Sequence, residues 1–219
     1  MTRKITVGID VGTYSVKVVV SEFLNGQTVP NIIGTGYAAS DGLRRGYIVN
    51  FEEAVKSIEK AVSEAERTSR IKIKRAYISL GGISLESLVS NGQAVVSRAD
   101  GEVTDLDVKK AMEDSEKNLG QLKNKKILHT VPVKFKLDGE EVMGRPTGLK
   151  GLKLEVKTLF VVCLSQHFED LIEAIESAGI EVIDVIASPI AASIVSLTKK
   201  QRNVGCILVN IGAETVSIA

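Results

Sequence analysis

The sequence predicts an α/β fold carrying a small inserted α+β subdomain. Two features of its order support this. An opening meander of β runs leads into a capped amphipathic helix, and the last third alternates helix with strand. Between them, about residues 83–160 read as strand, helix, strand and strand with period-two alternation. The 219 residues carry 28 basic and 27 acidic side chains, a formal charge of +1. That balance excludes a polybasic surface built for nucleic acid or anionic lipid. With 44% hydrophobic residues, 25% charged residues and no Trp, the composition is that of an ordinary globular chain.

The opening Met1-Thr2-Arg3-Lys4 leads into Ile5 without an apolar signal core, and the chain reads as cytoplasmic. Ile5–Asp10 and Val16–Val20 are β runs joined through Gly12-Thr13-Tyr14-Ser15, which predicts a hairpin. Asn25-Gly26 predicts a second hairpin, because both central positions of a type I′ turn need positive φ. It leads to a third strand from near Thr28 to Ala38. Asn50 opens a helix, with Glu53 completing a capping box. Phe51, Ala54, Val55, Ile58, Ala61, Val62 and Ala65 form its apolar stripe, and it frays near Thr68-Ser69. Arg75–Leu80 reads as a strand.

After Gly81-Gly82 come a strand at Ala94-Val95-Val96 and a helix capped by Thr104 with Asp107, its inner residues Leu106, Ala111, Met112 and Leu119. Val131, Val133, Phe135 and Leu137 alternate with polar neighbours, as do Leu152, Leu154, Val156, Thr158 and Phe160. Pro132 cannot donate to a ladder, so its strand has a free side there. In the last third, Gln166–Ala178 is a helix stopped by Gly179, and Glu181–Ile186 a strand. Ser188-Pro189 reads as N-cap and first helical residue. Val204–Ile211 reads as a buried strand, and the sequence stops within the run Val216–Ala219, as expected of part of a longer protein. Cys163 and Cys206 sit in aliphatic runs and are expected to be buried. His129 and His167 lack partners at metal-ligand spacing. The lysine groups near 72–75 and 123–126 read as solvated strand flanks.

Two stretches share one design. Gly8–Lys17 (G-I-D-V-G-T-Y-S-V-K) and Val209–Val216 (V-N-I-G-A-E-T-V) are each a β run, a short Gly-containing turn and another β run. Such turns can present several backbone N–H groups to one anion, and Gly permits its close approach. Thr13, Ser15 and Thr215 offer hydroxyls, Lys17 a cation, and Asp10 a carboxylate able to hold Mg²⁺ through its waters. Facing each other, the two turns would clamp the phosphates of a nucleotide.

The first turn resembles phosphate loop 1 of the actin/Hsp70/sugar-kinase superfamily. Three further stretches narrow the resemblance to the bacterial cell-division FtsA family. They are Gly42–Ile58 (G-L-R-R-G-Y-I-V-N-F-E-E-A-V-K-S-I), Ile127–Lys157, and Ala178–Thr198 with A-G-I-E-V and S-P-I-A-A-S-I-V-S-L-T. The resemblance is co-linear over essentially the whole chain and implies an incomplete actin-like (ribonuclease H-like) nucleotide-binding fold. Residues 1–82 and 161–204 would be its first-half subdomain, 83–160 the inserted interaction subdomain, and 205–219 the start of the second half. It further implies ATP and Mg²⁺ as ligands. FtsZ and later division proteins would be the partners, with self-association involving the inserted subdomain. Attachment to the inner face of the cell membrane would use a helix outside these residues.

By position, Asp10 would be linked to the metal, with Asn210 as its counterpart. Gly12, Thr13, Tyr14, Ser15 and Lys17 would contact phosphate, and Gly212, Ala213, Glu214 and Thr215 would form the second loop. The family's second loop usually reads D-I-G-G-G-T-T-D; here Asn210 removes a charge and Glu214 adds a carboxylate. Like charges at ~4 Å repel by several kcal/mol, so Glu214 must turn away from the phosphates or meet the metal. Ser188 stands where the family often has Glu. The departures predict nucleotide binding with weak or absent hydrolysis. Rival readings are a PilM-type pilus adaptor and a sugar kinase of the same superfamily.

Overall fold

The computed structural model describes residues 4–24, 26 and 29–219. The expected turn at Asn25 and strand start at Thr28 lie outside the described residues. The elements are β1 (Lys4–Val11), β2 (Ser15–Phe23), β3 (Asn31–Ala39), β4 (Leu43–Arg44), β5 (Tyr47–Ile48), α1 (Phe51–Ser69) and β6 (Arg75–Leu80). Then come β7 (Glu86–Val95), α2 (Asp105–Lys117), β8 (Lys125–Leu137), β9 (Glu140–Val142) and β10 (Lys153–Leu164). The chain continues with α3 (Ser165–Ser177), β11 (Glu181–Ala187), α4 (Ser188–Ser196), α5 (Lys199–Val204), β12 (Val209–Ile211) and β13 (Val216–Ile218). Two compact units result: Met1–Leu85 with Leu164–Ala219, and Glu86–Cys163. Residues 205–219 group with the first.

The first unit is built on a five-stranded sheet in the order β11-β6-β1-β2-β3. β1, β2 and β3 are antiparallel neighbours, while β6 runs parallel to β1 and β11 parallel to β6. Alternate residues Val7, Ile9, Val11, Val18 and Val20 enter the core. Helix α1 lies on β2 and β3, against the small inner residues Gly34, Gly36 and Ala38. A Cβ added to Gly36 would stand 1.9 Å from the Ala61 carbonyl oxygen, so only glycine admits the helix at that distance.

Asn50 caps α1 by accepting from Glu53 N–H at 3.3 Å. Its own N–H is already bound to Gly42 O at 3.0 Å, which leaves the return arm of a capping box nothing to accept. Phe51 is exposed, and Ser57 takes an inward place, accepting from Asp41 N–H at 3.1 Å and donating to Glu53 O at 3.0 Å. The helix does not fray at Thr68. That hydroxyl accepts from Thr35 N–H at 3.0 Å and donates to Thr35 O at 2.7 Å, tying the last turn to the outer edge of β3. Glu64 holds the next outward N–H of the edge, Tyr37, at 2.9 Å.

The second unit is a four-stranded sheet, β7-β10-β8-β9, covered by α2. Val103, Ala111, Leu154 and Val156 form its core, with Phe135, Leu137 and Met112 packed against them. That core stops short of Val131 and Val133, which are exposed despite their alternation. Gly92 repeats the device of Gly36: a Cβ there would meet Ala111 O at 2.2 Å. The outer edge of β7 is also held by its helix, Gln93 N–H on Asp114 and Asn91 O under the Asn118 amide, both at 2.9 Å. Strand β9 was not expected from the sequence. It follows Asp138 (φ 52°) and Gly139 (φ 91°), a two-residue Asp-Gly turn. Its pairing with β8 spans only Phe135–Leu137, so Pro132 lies beyond it.

Thr104 and Asp107 form the expected capping box. Leu106 is exposed instead of inward, because Asp107 takes the buried place. The Asp107 carboxylate accepts from Ser97 N–H (3.1 Å), Ser97 Oγ (2.7 Å), Thr104 N–H (2.9 Å) and Thr104 Oγ1 (2.7 Å). Burial pushes its pKa up, and these hydrogen bonds more than offset that, leaving it at about 2.

Toward the end of the chain, α5 is an element not expected above. Thr198 and Gln201 form its capping box, and the T-K-K-Q spacing was the signal for it. The expected buried strand at Val204–Ile211 is corrected: only Val209–Ile211 is extended, and it is exposed. Among the described residues β12 and β13 pair only with each other, and a lone two-stranded ribbon leaves both faces open. Cys206, expected to be buried, lies in the irregular segment between α5 and β12 and is exposed, whereas Cys163 is buried. Burial pushes the Cys163 thiol up to about 11. Iodoacetamide at pH 8 should therefore alkylate Cys206 and spare Cys163 in the native chain, as peptide mass mapping would read; equal labelling of both would contradict this packing.

Candidate functional site

Strands β1, β6 and β11 run parallel, and their carboxyl ends open on a groove of about 550 Å³. Ligands of open α/β sheets bind at this end of the strands. Asp10, Lys17, Ser79, Ser188 and Asn210 line the groove, with Gly8, Val19, Ala191 and Val195 as its smaller and apolar parts. Asp10, one residue before the end of β1, lies directly across from Lys17 on β2, with Nζ 3.7 Å from Oδ2. The Ser79 hydroxyl donates to Asp10 Oδ1 and accepts from Ser188 Oγ at 3.3 Å. Ser188 is therefore not the N-cap that the sequence suggests. Ala187 holds that position without a side-chain bond, and the Ser188 hydroxyl is turned to Ser79.

The two Gly-containing turns have the same build. Gly12 N–H closes on Ser15 O at 3.1 Å, and Gly212 N–H on Thr215 O at 2.8 Å. Asp10 opposes Lys17 in the first hairpin as Asn210 opposes Ser217 in the second. A Cβ on Gly12 would lie 3.1 Å from Ser15 O, and one on Gly212 3.2 Å from Thr215 O, so both turns are tight enough to favour glycine. Tyr14 is 72% exposed at the tip, while Ser15 is only 2% exposed and, by the alternation of β2, shares the face of Lys17 and Val19, which line the groove. Gly212, Ala213 and Glu214 are exposed and Thr215 is partly covered.

Both turns hold the tip of one short hairpin, β4–β5. Thr13 Oγ1 accepts from Gly46 N–H at 3.0 Å. Glu214 accepts from Arg45 N–H at 2.7 Å and from the Arg44 guanidinium at 2.9 Å. Those bonds, first the backbone one and then the Arg44 side chain, hold the Glu214 carboxyl below the usual carboxylate range. Of the two outcomes open to Glu214, the described contact is with the 44–45 strap. The strap rests on His167, which is buried, bonded through Nδ1 to Ser84 Oγ at 2.6 Å and tilted against the Tyr47 ring at 4.6 Å. Burial pushes the pKa of His167 down, which keeps the ring neutral. Sequence reasoning missed Ser79; Leu43-Arg44-Arg45-Gly46 reads from the sequence as a loop near the nucleotide, near a polymer contact or simply at the surface, without its backbone donors. Ser79 had a signal: it is a polar residue ending a β run just before Gly81-Gly82, as Asp10 is before Gly12.

Residues 82–162 match the SHS2 domain inserted in FTSA. Over 99% of its length the chain is 31% identical to the cell division protein FtsA of Pseudomonas aeruginosa, covering 51% of that protein. It is 32% identical to the cell division protein FtsA of Bacillus subtilis over 99% of its length, covering 49% of that relative. The chain thus spans about half the length of the curated relatives it matches. Among solved structures, the PilM-PilN type IV pilus biogenesis complex superposes with a TM-score of 0.64 over 97% of this chain and 56% of that one. At 13% identity that likeness speaks for the fold alone, which is the actin-like α/β fold. Among the described residues, no helix is long and apolar enough to cross a membrane.

Proposed function

We propose that this chain, a relative of the FtsA cell-division proteins, forms the first half of an actin-like ATP-binding protein of the division machinery. The pair of like hairpins, ending at Asp10 and Asn210 and meeting on one strap, carries the reading. ATP would lie with its phosphates between the turns, against Gly12, Thr13, Tyr14, Gly212, Ala213 and Thr215, with Lys17 as the cation. Ser15, whose carbonyl closes the turn on Gly12 N–H, would stand with them on the strand face of Lys17.

Among the described residues, no three His, Cys, Asp or Glu side chains gather where they could hold a metal ion. The donor set fits Mg²⁺ as an ion that keeps its waters and shares phosphate oxygens, with Asp10 and Asn210 reaching it from the groove. Bound there, it would neutralise phosphoryl charge. Hydrolysis is expected to be weak, since the Ser188 hydroxyl is committed to Ser79 and offers no carboxylate to orient water.

The name of the relatives supports a place in cell division. FtsZ and later division proteins are the proposed partners, with self-association through the inserted subdomain. Membrane attachment at the inner face would come from a segment outside these residues. Calorimetric titration with ATP is the test. Residues 1–219 alone should bind poorly, and supplying the second half found in the relatives should bring affinity to micromolar or tighter. Asp10→Ala should then weaken it about tenfold or more, as expected for a lost charge-assisted contact. Micromolar binding by residues 1–219 alone would contradict the two-half arrangement. Turnover well above background, abolished by Asp10→Ala, would overturn the expectation on hydrolysis.

A further inference from the structure

Hairpin β4–β5 turns through Arg45 (φ 50°) and Gly46 (φ 86°), with Arg44 paired to Tyr47. In a two-residue turn of this kind the two central N–H groups are not used by the hairpin itself and point outward as donors. Gly46 N–H is taken by Thr13 Oγ1 of the first turn. Arg45 N–H and the Arg44 guanidinium remain, and together they grip one carboxylate by both oxygens, at 2.7 and 2.9 Å. A backbone N–H beside a guanidinium, each on a different oxygen of one group, is also the arrangement that binds a phosphoryl group. The occupant in this case is Glu214, which belongs to the turn proposed to receive phosphate.

We infer that Arg44 and the Arg45 N–H form a binding site for the terminal phosphoryl group of a polyphosphate chain, and that Glu214 is its tethered competitor. The inference rests on the nucleotide reading of the groove for its natural ligand, but the anion site itself can be tested without a nucleotide. Among the described residues Glu214 is held by the strap alone, so the second turn is bound to the strap when the site holds carboxylate and released when it holds phosphate. The chain's departure at 214 thus acts as a threshold on binding: a phosphoryl chain must displace a carboxylate already at high local concentration.

The probe is inorganic tripolyphosphate, titrated into the ¹⁵N-labelled 219-residue chain while the Arg45 amide is followed by NMR. Glu214→Gln, which keeps size and removes charge, should bind the probe at least tenfold more tightly than the unmodified chain, with the largest shift at Arg45. Adding Arg44→Ala to that variant should abolish the gain. Equal affinity for the two chains, or shifts that spare Arg45, would overturn the inference. If Glu214→Gln alters the amide spectrum beyond the two turns and the strap, Glu214→Ser gives the same comparison without a charged or amide head.

The inference and the nucleotide reading fail separately. Tripolyphosphate binding at Arg45 with no ATP binding, even when the second half is supplied, would leave the anion site standing and overturn the nucleotide reading. ATP binding with no gain from Glu214→Gln would do the reverse.

Discussion

Gly36→Val is expected to unfold the first unit. Its Cβ would fall 1.9 Å from Ala61 O, 2.7 Å from Ala65 N and 2.9 Å from Ala65 Cβ, all of them parts of α1 that cannot rotate away. The helix must then lift from β3, opening the contact that also seats Ile58 and Val62. Overpacking of this severity costs about 3 kcal/mol or more, a large part of what a domain has in reserve. Gly8→Ala is the matched control: nothing lies within 4 Å of the added carbon, so its denaturation midpoint should stay near that of the parent. Urea unfolding followed by circular dichroism compares the two. A Gly36→Val chain with the parental midpoint would show that the close approach of α1 is not required.

Asp107→Asn should destabilise the second unit at neutral pH and flatten its response to acid. The folded pKa of about 2 lies below the unfolded carboxyl value near 3.8, so the charged form is the one the fold favours. Its contribution is therefore complete above about pH 4 and is lost as pH falls toward 2. A shift of that size corresponds to about 2 kcal/mol. The amide adds a further defect, because its NH₂ faces donors at Ser97 or Thr104 where the carboxylate accepted. Urea titrations of the whole chain at pH 7 and pH 3, followed at the Leu154 and Val156 amides by NMR, should show the parent losing stability between these values and the variant losing less. Parallel losses would assign the acid sensitivity to other groups.

The sequence made the elements legible where one period dominated. Leu154, Val156, Thr158 and Phe160 alternate and are all buried, and Thr104 with Asp107 announced α2 three residues apart. It misled where an apolar residue lay on pattern but outside the packed core, as at Val131 and Val133 on β8 and at Phe51, the first residue of α1. Ser57 was given no role from the sequence and Asp107 only that of a capping partner, yet each is inward because backbone donors await it. Within the groove, Asp10 and Lys17 were readable because a two-strand hairpin fixes their register. Ser79 was not, and neither was the meeting of Ser79 with Ser188 or of the strap with the turns, since these depend on long-range parallel pairing and on a loop returning to the turns.

The polar side chains that α1 and α2 lend to β3 and β7 have a meaning for association. An outermost strand ordinarily offers a ladder of free donors to any extended peptide that comes near. At Thr35, Tyr37 and Gln93 those donors are already engaged from within the chain. On the far side of the first sheet, the irregular register of β11 between Val182 and Asp184 breaks the template a second time. At these margins copies of this protein are thus shielded from zipping together strand to strand, which leaves contact there to side-chain surfaces, whose geometry can be specific and reversible.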